Sequence, residues 1–148
     1  MIIDFRIRPP YRGFLKLLIH ADDRFAYRKP RWADITAMEP PRSAVEHSMD
    51  HLMAELDEAG IDVAVVLGCN TPGRHGAVDN ADVSDFVGTQ PDRFVGFGGI
   101  DVSNREIAMK EYRRCMDQLG LTGVAICAGF AEPARHVDDP ANFPLYEA

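Results

Sequence analysis

Arg6 and Arg8 stand two residues apart at the end of an apolar opening segment, MIIDFRIRPP. A guanidinium is always protonated and presents a planar fork of donors that matches a carboxylate in bidentate fashion. Two such groups among buried apolar residues are costly unless carboxylates or an anionic ligand pair them. The chemistry they offer is therefore the grip on a small carboxylated molecule. The blander reading has Arg6 neutralised by Asp4 or by acidic groups elsewhere. Other candidates share Arg8's position after an apolar run: Cys69 and Asn70, then Asp101, then Cys127. Asp101 can pair with an arginine, orient a substrate hydroxyl, or simply start the turn into the next helix. Asn70, followed by Thr71-Pro72-Gly73, also reads as a plain turn.

The remaining polar residues carry less. His47 and His51 are four apart, a spacing that can bind metal on a helix, but they fall opposite the apolar stripe and read as a solvated face. His75 and His136 lie in loops, and His20 gives no signal. The three cysteines, Cys69, Cys115 and Cys127, show no CxxC spacing and no neighbouring histidine. They read as buried, reduced thiols of a cytoplasmic protein rather than nucleophiles. Gly68, Gly73 and Gly76 do not make a phosphate loop, because the GxxxxGK[ST] pattern is absent.

The elements that must position these groups follow from periodicity. Alternation along the first strand predicts Asp4, Arg6 and Arg8 on one face and Ile3, Phe5 and Ile7 on the other, with Pro9 and Pro10 closing it. Residues 10 to about 42 read as a long loop with one short helix near residues 14–19. A helix opens at Ser43 with Glu46 as its capping-box partner and carries a stripe of Val45, Met49, Leu52, Met53 and Leu56 before Gly60. Strands are predicted at residues 61–67, 94–100 and 121–128, nearly continuous in hydrophobicity, as parallel strands covered on both faces are. Helices are predicted at residues 79–87 and 103–119, the latter with a Ser103/Glu106 capping box. Asp138 to Pro140 starts a last helix. Strands two to four begin about 30 residues apart, which matches the period of a (β/α)8 barrel. The predicted fold is α/β: four parallel strands with helices, the N-terminal half of a TIM-type barrel, ending at the start of the fourth helix. A complete four-stranded open sheet is the alternative.

The 148 residues make one ordinary domain, here read as a partial barrel over residues 1–148. A net charge of −7 with no basic run argues against nucleic acid or an anionic membrane as partner. No apolar run approaches a bilayer span, and no secretory signal opens the chain, so a cytoplasmic location is expected.

Several segments together resemble the amidohydrolase-related family that includes aminocarboxymuconate-semialdehyde decarboxylase and the pyrone-dicarboxylate lactonases. They are Ile2-Ile3-Asp4 with its strand, residues 52–67 (LMAELDEAGIDVAVVL), Asn80-Ala81-Asp82, residues 91–100 (PDRFVGFGGI), residues 119–124 (LGLTGV) and residues 138–148 (DDPANFPLYEA). The resemblance implies the barrel fold and a hydrolase or decarboxylase acting on a small carboxylated substrate. It also implies a divalent metal whose first ligands are a His-x-His at the end of strand one. Arg6 and Arg8 occupy those two positions, and arginine has no lone pair for a metal. No cofactor is therefore expected within this chain, while zinc in a complete protein stays open. Substrate-binding residues are expected to be Arg6, Arg8, Asn70 and Asp101. Two other readings stand beside the enzyme: a non-catalytic anion-binding barrel, and an inactive fragment of a longer enzyme. A half-barrel exposes two strand edges and an apolar face, so homo-oligomerisation or completion by a missing half is expected.

Overall fold

In the computed structural model, described for residues 1–17, 19–20, 39–70 and 77–148, the strands form one parallel sheet in the order β1-β2-β3-β4. They are β1 (Ile3–Ile7), β2 (Val63–Leu67), β3 (Phe94–Ile100) and β4 (Gly123–Ile126). Parallel neighbours need long crossovers, and helices supply them: α1 (Arg42–Glu46), α2 (Met49–Glu58), α3 (Asn80–Thr89), α4 (Arg105–Arg113) and the short α5 (Phe143–Tyr146). Side-chain caps fix several of the starts. Asp79 accepts from the Ala81 N–H to cap α3, and Asp139 accepts from the Ala141 N–H in the 3-10 turn leading to α5.

The sheet has one covered and one open face. A Cβ added to Gly96 would strike Val83, Val87 and Leu121, and one added to Gly98 would strike Cys115, so these positions of β3 face the helices. That side holds the core, with Val66, Val83, Phe86, Phe94 and Cys115 all at or below 2% exposure. The Phe86 and Phe94 rings pack at 4.6 Å between centroids. On the opposite face the register aligns Ile3 with Val63, Val65 with Val95, and Leu67 with Phe97.

Several local expectations are corrected. Strict alternation fails in β1, because Asp4 pairs with Ala64 but Ile7 pairs with Val66, one residue more on β1 than on β2. The Asp4 carboxylate accepts the Arg6 backbone N–H at 3.0 Å, which supports this bulge. Ile7 is thereby turned into the core, while Phe5 stays on the open face, 68% exposed. The expected helix from Ser43 is two helices. His47 adopts φ 50°, ψ 42° after α1, and Ser48 caps α2 through the His51 N–H. The Ser43/Glu46 capping box does not form; Ser43 donates its N–H and Oγ–H to Glu55 instead, at 3.0 and 2.5 Å. Val45 consequently leaves the apolar stripe and is exposed. Asn104, not Ser103, caps α4, accepting from Glu106 and Ile107. The helix then continues as a π-helical turn, Arg114–Gln118, and β4 is shorter than the predicted 121–128.

Candidate functional site at the strand ends

The carboxyl ends of parallel strands lie on one rim, and Arg8, Asn70, Asp101 and Cys127 follow β1, β2, β3 and β4 there. Ligands bind at this rim in barrels and open α/β sheets alike. Arg8 is partly buried and Arg6 is exposed. Among the described residues neither guanidinium makes a hydrogen bond or ion pair; the expected partner Asp4 spends its carboxylate on the Arg6 backbone N–H instead.

Arg8 has an unforeseen backbone anchor. His20, 3% exposed, places Nε2 3.0 Å from the Arg8 carbonyl oxygen. A carbonyl only accepts, so Nε2 carries the hydrogen. His47 stays exposed but reaches back to His20: its Nε2 donates to that residue's carbonyl at 3.0 Å, and the two rings meet edge to face at 5.7 Å. His51, partly exposed, bonds instead to Glu46 at 2.9 Å, so the two histidines take different partners on a face that is largely open to solvent, as expected. Burial lowers the pKa of His20, and the charge of Arg8 lowers it further. Isolated histidines at non-adjacent positions give no periodic signal for such a cluster.

Asp101 is committed locally. Its two carboxylate oxygens accept the Ser103 N–H and Oγ–H, each at 2.9 Å, which makes it the turn into α4. Asn70 forms a single antiparallel bridge with Ala77. The chain carries Asn70 over β3 because Gly68 and Gly99 touch: a Cβ on either would strike the other's backbone. Asn70 lines a cleft of about 260 Å³ with Asp79, Asn80, Glu111 and Arg114. His75 and the Thr71-Pro72-Gly73 turn lie outside the described residues, and His136 serves through its backbone carbonyl, which accepts from Asn142.

Asn80 is the polar residue the sequence reading missed. At 2% exposure it donates to the Gly99 carbonyl at 3.0 Å and to Glu111 at 2.8 Å, and it accepts the Gly99 N–H at 2.7 Å. Arg114 extends the network to Glu111 and Asp79 at 2.8 and 3.0 Å. The Asp79 carboxyl is lowered by the Ala81 N–H and then by Arg114, and Arg114 is raised in return. The available signal was an asparagine directly after a capping aspartate, where its side chain is spare for a tertiary partner. Burial pushes the neighbouring Cys115 thiol up to about 11, which keeps it protonated at neutral pH.

Arg6 and Arg8 do not fit a metal at the end of β1, since neither has a lone pair to give. Among the described residues no three of His, Cys, Asp and Glu converge as ligands.

Comparison with known proteins places this geometry. No family model matches the chain. A 2-amino-3-carboxymuconate-6-semialdehyde decarboxylase from Dictyostelium discoideum is 35% identical over 68 residues, 46% of this chain and 18% of that protein. A gamma-resorcylate decarboxylase from Polaromonas sp. (strain JS666 / ATCC BAA-500) is 29% identical over 116 residues, 71% of this chain and 33% of that protein. An uncharacterised TIM-barrel protein from Bordetella bronchiseptica superposes with a TM-score of 0.89 at 37% identity, covering 99% of this chain and 50% of that one. Solved decarboxylases share the fold alone, among them a 5-carboxyvanillate decarboxylase at TM-score 0.61 and 20% identity. The chain therefore spans a third or less of these curated relatives and half of the barrel structure. By sequence the chain is similar to decarboxylases over part of their length, and its four parallel strands with their helices form half of a TIM-type barrel.

Proposed function

We propose that the chain is the substrate-gripping half of a decarboxylase acting on a small carboxylated aromatic acid, with Arg8, assisted by Arg6, as the anion-binding group. One observation carries this reading: a partly buried guanidinium stands at the carboxyl end of β1 with no hydrogen-bonding or ion-pairing partner among the described residues. A partly buried charge without a counter-charge is better placed once an anion arrives. The adjoining open face, with Phe5 against Phe97 at 6.4 Å, is suited to an aromatic ring. The relatives named for carboxylated aromatic or muconate acids agree with that substrate class.

The chemistry sets which group the arginines should hold. When carbon dioxide leaves, its carboxylate loses its charge and the bonding pair passes to the ring. A cation fixed on the departing carboxylate would stabilise the bound acid more than the transition state. A cation beside a ring oxygen or a second carboxylate gains as the ring takes up electron density. Arg8 is assigned to such a persisting anionic group. Asp101, bound to Ser103, is not assigned as the acid that returns a proton to the ring. A metal in the complete protein would draw its ligands from residues other than Arg6 and Arg8, and no step is routed through one.

Calorimetric titration of the chain with 2,6-dihydroxybenzoate tests the reading. A charged hydrogen-bonding group contributes about 1.5–3 kcal/mol, so Arg8→Ala should weaken binding by roughly tenfold to a hundredfold. Arg8→Lys should recover only part, because the bidentate fork is lost. Equal binding by all three proteins would reject the assignment.

A further inference from the structure

His20 is buried beside the rim with only half of its ring in use. At 3% exposure it donates from Nε2 to the Arg8 carbonyl at 3.0 Å, while its buried Nδ1 has no hydrogen-bond partner among the described residues. A buried polar atom in that state calls for a partner. With the hydrogen on Nε2, Nδ1 presents a lone pair, and a proton is the smallest species that can occupy it. We propose that His20 is the positioning residue of Arg8 and the proton acceptor coupled to its ligand: a carboxylate that engages the Arg8 guanidinium brings a proton from solvent onto His20 Nδ1, and acid in turn tightens the grip. This role rests on the anion-binding reading of Arg8.

The surroundings make that protonation conditional. Among the described residues the charged groups acting on His20 are Arg8, at the end of β1, and His47, directly after α1. Burial opposes a charge on the ring most, and both of these cations oppose it further, whereas the backbone groups of Arg8 and Ala44 favour it. The missing contribution is a negative charge. Nearby carboxylates are committed elsewhere: Glu55 of α2 accepts from Ser43, and Glu46 accepts from Arg42 and His51. An anion held by Arg8 supplies that charge, because it offsets the guanidinium's repulsion of the ring. The protonated ring keeps its Nε2–H for the Arg8 carbonyl, so the strand end that carries the guanidinium stays fixed in both states. Linkage makes the effect reciprocal: a carboxylate that favours the proton is itself favoured by the proton, by the same factor.

Calorimetric titration with 2,6-dihydroxybenzoate in buffers of different ionisation enthalpy counts the protons taken up and is the test. Net uptake is expected at pH 6 and none at pH 8. Affinity should rise about fivefold from pH 7.5 to 5.5, the low end of coupling between two sites. His20→Gln, which keeps an N–H donor for the Arg8 carbonyl, should lose the uptake and the pH dependence whatever affinity it retains. His47→Gln and His51→Gln should keep the uptake. If His20→Gln fails to fold, the 15N-histidine resonances of the wild-type chain decide: at pH 6 the ligand should move the His20 Nδ1 signal towards its protonated position. No binding at any pH would reject the anion-binding reading and this coupling with it. Binding without uptake at pH 6, uptake that survives His20→Gln, or an unmoved His20 signal would overturn this inference alone.

Discussion

At the scale of single residues the molecule separates charges that are already satisfied from those that are not. Arg93 bonds to Asp57 at 2.8 Å, and Arg114 bonds to Asp79 and Glu111. Arg8 instead has its backbone held by His20 while its side chain is left without a hydrogen-bonding partner among the described residues. This anchor has a pH signature. Burial lowers the folded-state pKa of His20 below its ordinary 6.5, so the unfolded chain binds the proton more readily. Stability should therefore rise with pH across this window: full above the unfolded value, and falling as pH drops from about 6.5 towards the folded value. His47 and Arg8 both add positive charge beside the ring and push in the same direction. Urea midpoints measured from pH 7.5 to 5 should decline, and His20→Gln, which retains an N–H donor, should flatten that decline. An unchanged slope would place the titrating group elsewhere.

At the scale of elements, stability concentrates where polar side chains tie a helix to the sheet. Asn80→Ala would leave the Gly99 N–H and C=O and part of Glu111 without their buried partner. A loss of about 1–3 kcal/mol in urea unfolding is expected for buried groups deprived of a partner. Ser48→Ala removes the cap of α2 and should cost about 1 kcal/mol by the same measurement. These positions also mark how far the sequence could be read. Residues 94–100 were predicted as a strand and form β3 with those bounds, because an uncharged run between Arg93 and Asp101 admits few alternatives. The parallel order followed from the repeat of about 30 residues. The β1 bulge was invisible to an alternation rule, since it depends on Asp4 bonding a neighbouring amide. The break at His47 was equally hidden, because neither glycine nor proline marks it and tertiary bonds to His20 and Glu55 hold both sides. Of the rim, the position of Arg8 was legible from strand-end logic. Asp101's bonds to Ser103 and Asn80's to Gly99 required three-dimensional neighbours.

At the scale of the whole molecule, half of a barrel exposes what a full barrel buries. Raising salt from about 0.05 to 0.5 M should weaken carboxylate binding at Arg8, because screening reduces the attraction between the two charges. Calorimetry across that range would show the trend, and binding indifferent to salt would separate it from the charge invoked for it. The central claim, that Arg8 is the anion-binding group, is tested most directly by following the guanidinium Nε–H resonances of 15N-arginine-labelled chain during addition of 2,6-dihydroxybenzoate. Arg8 should show the largest saturable shift, with Arg6 following it and Arg93 and Arg114 unmoved. Saturable binding that leaves the Arg8 resonance in place would contradict the account.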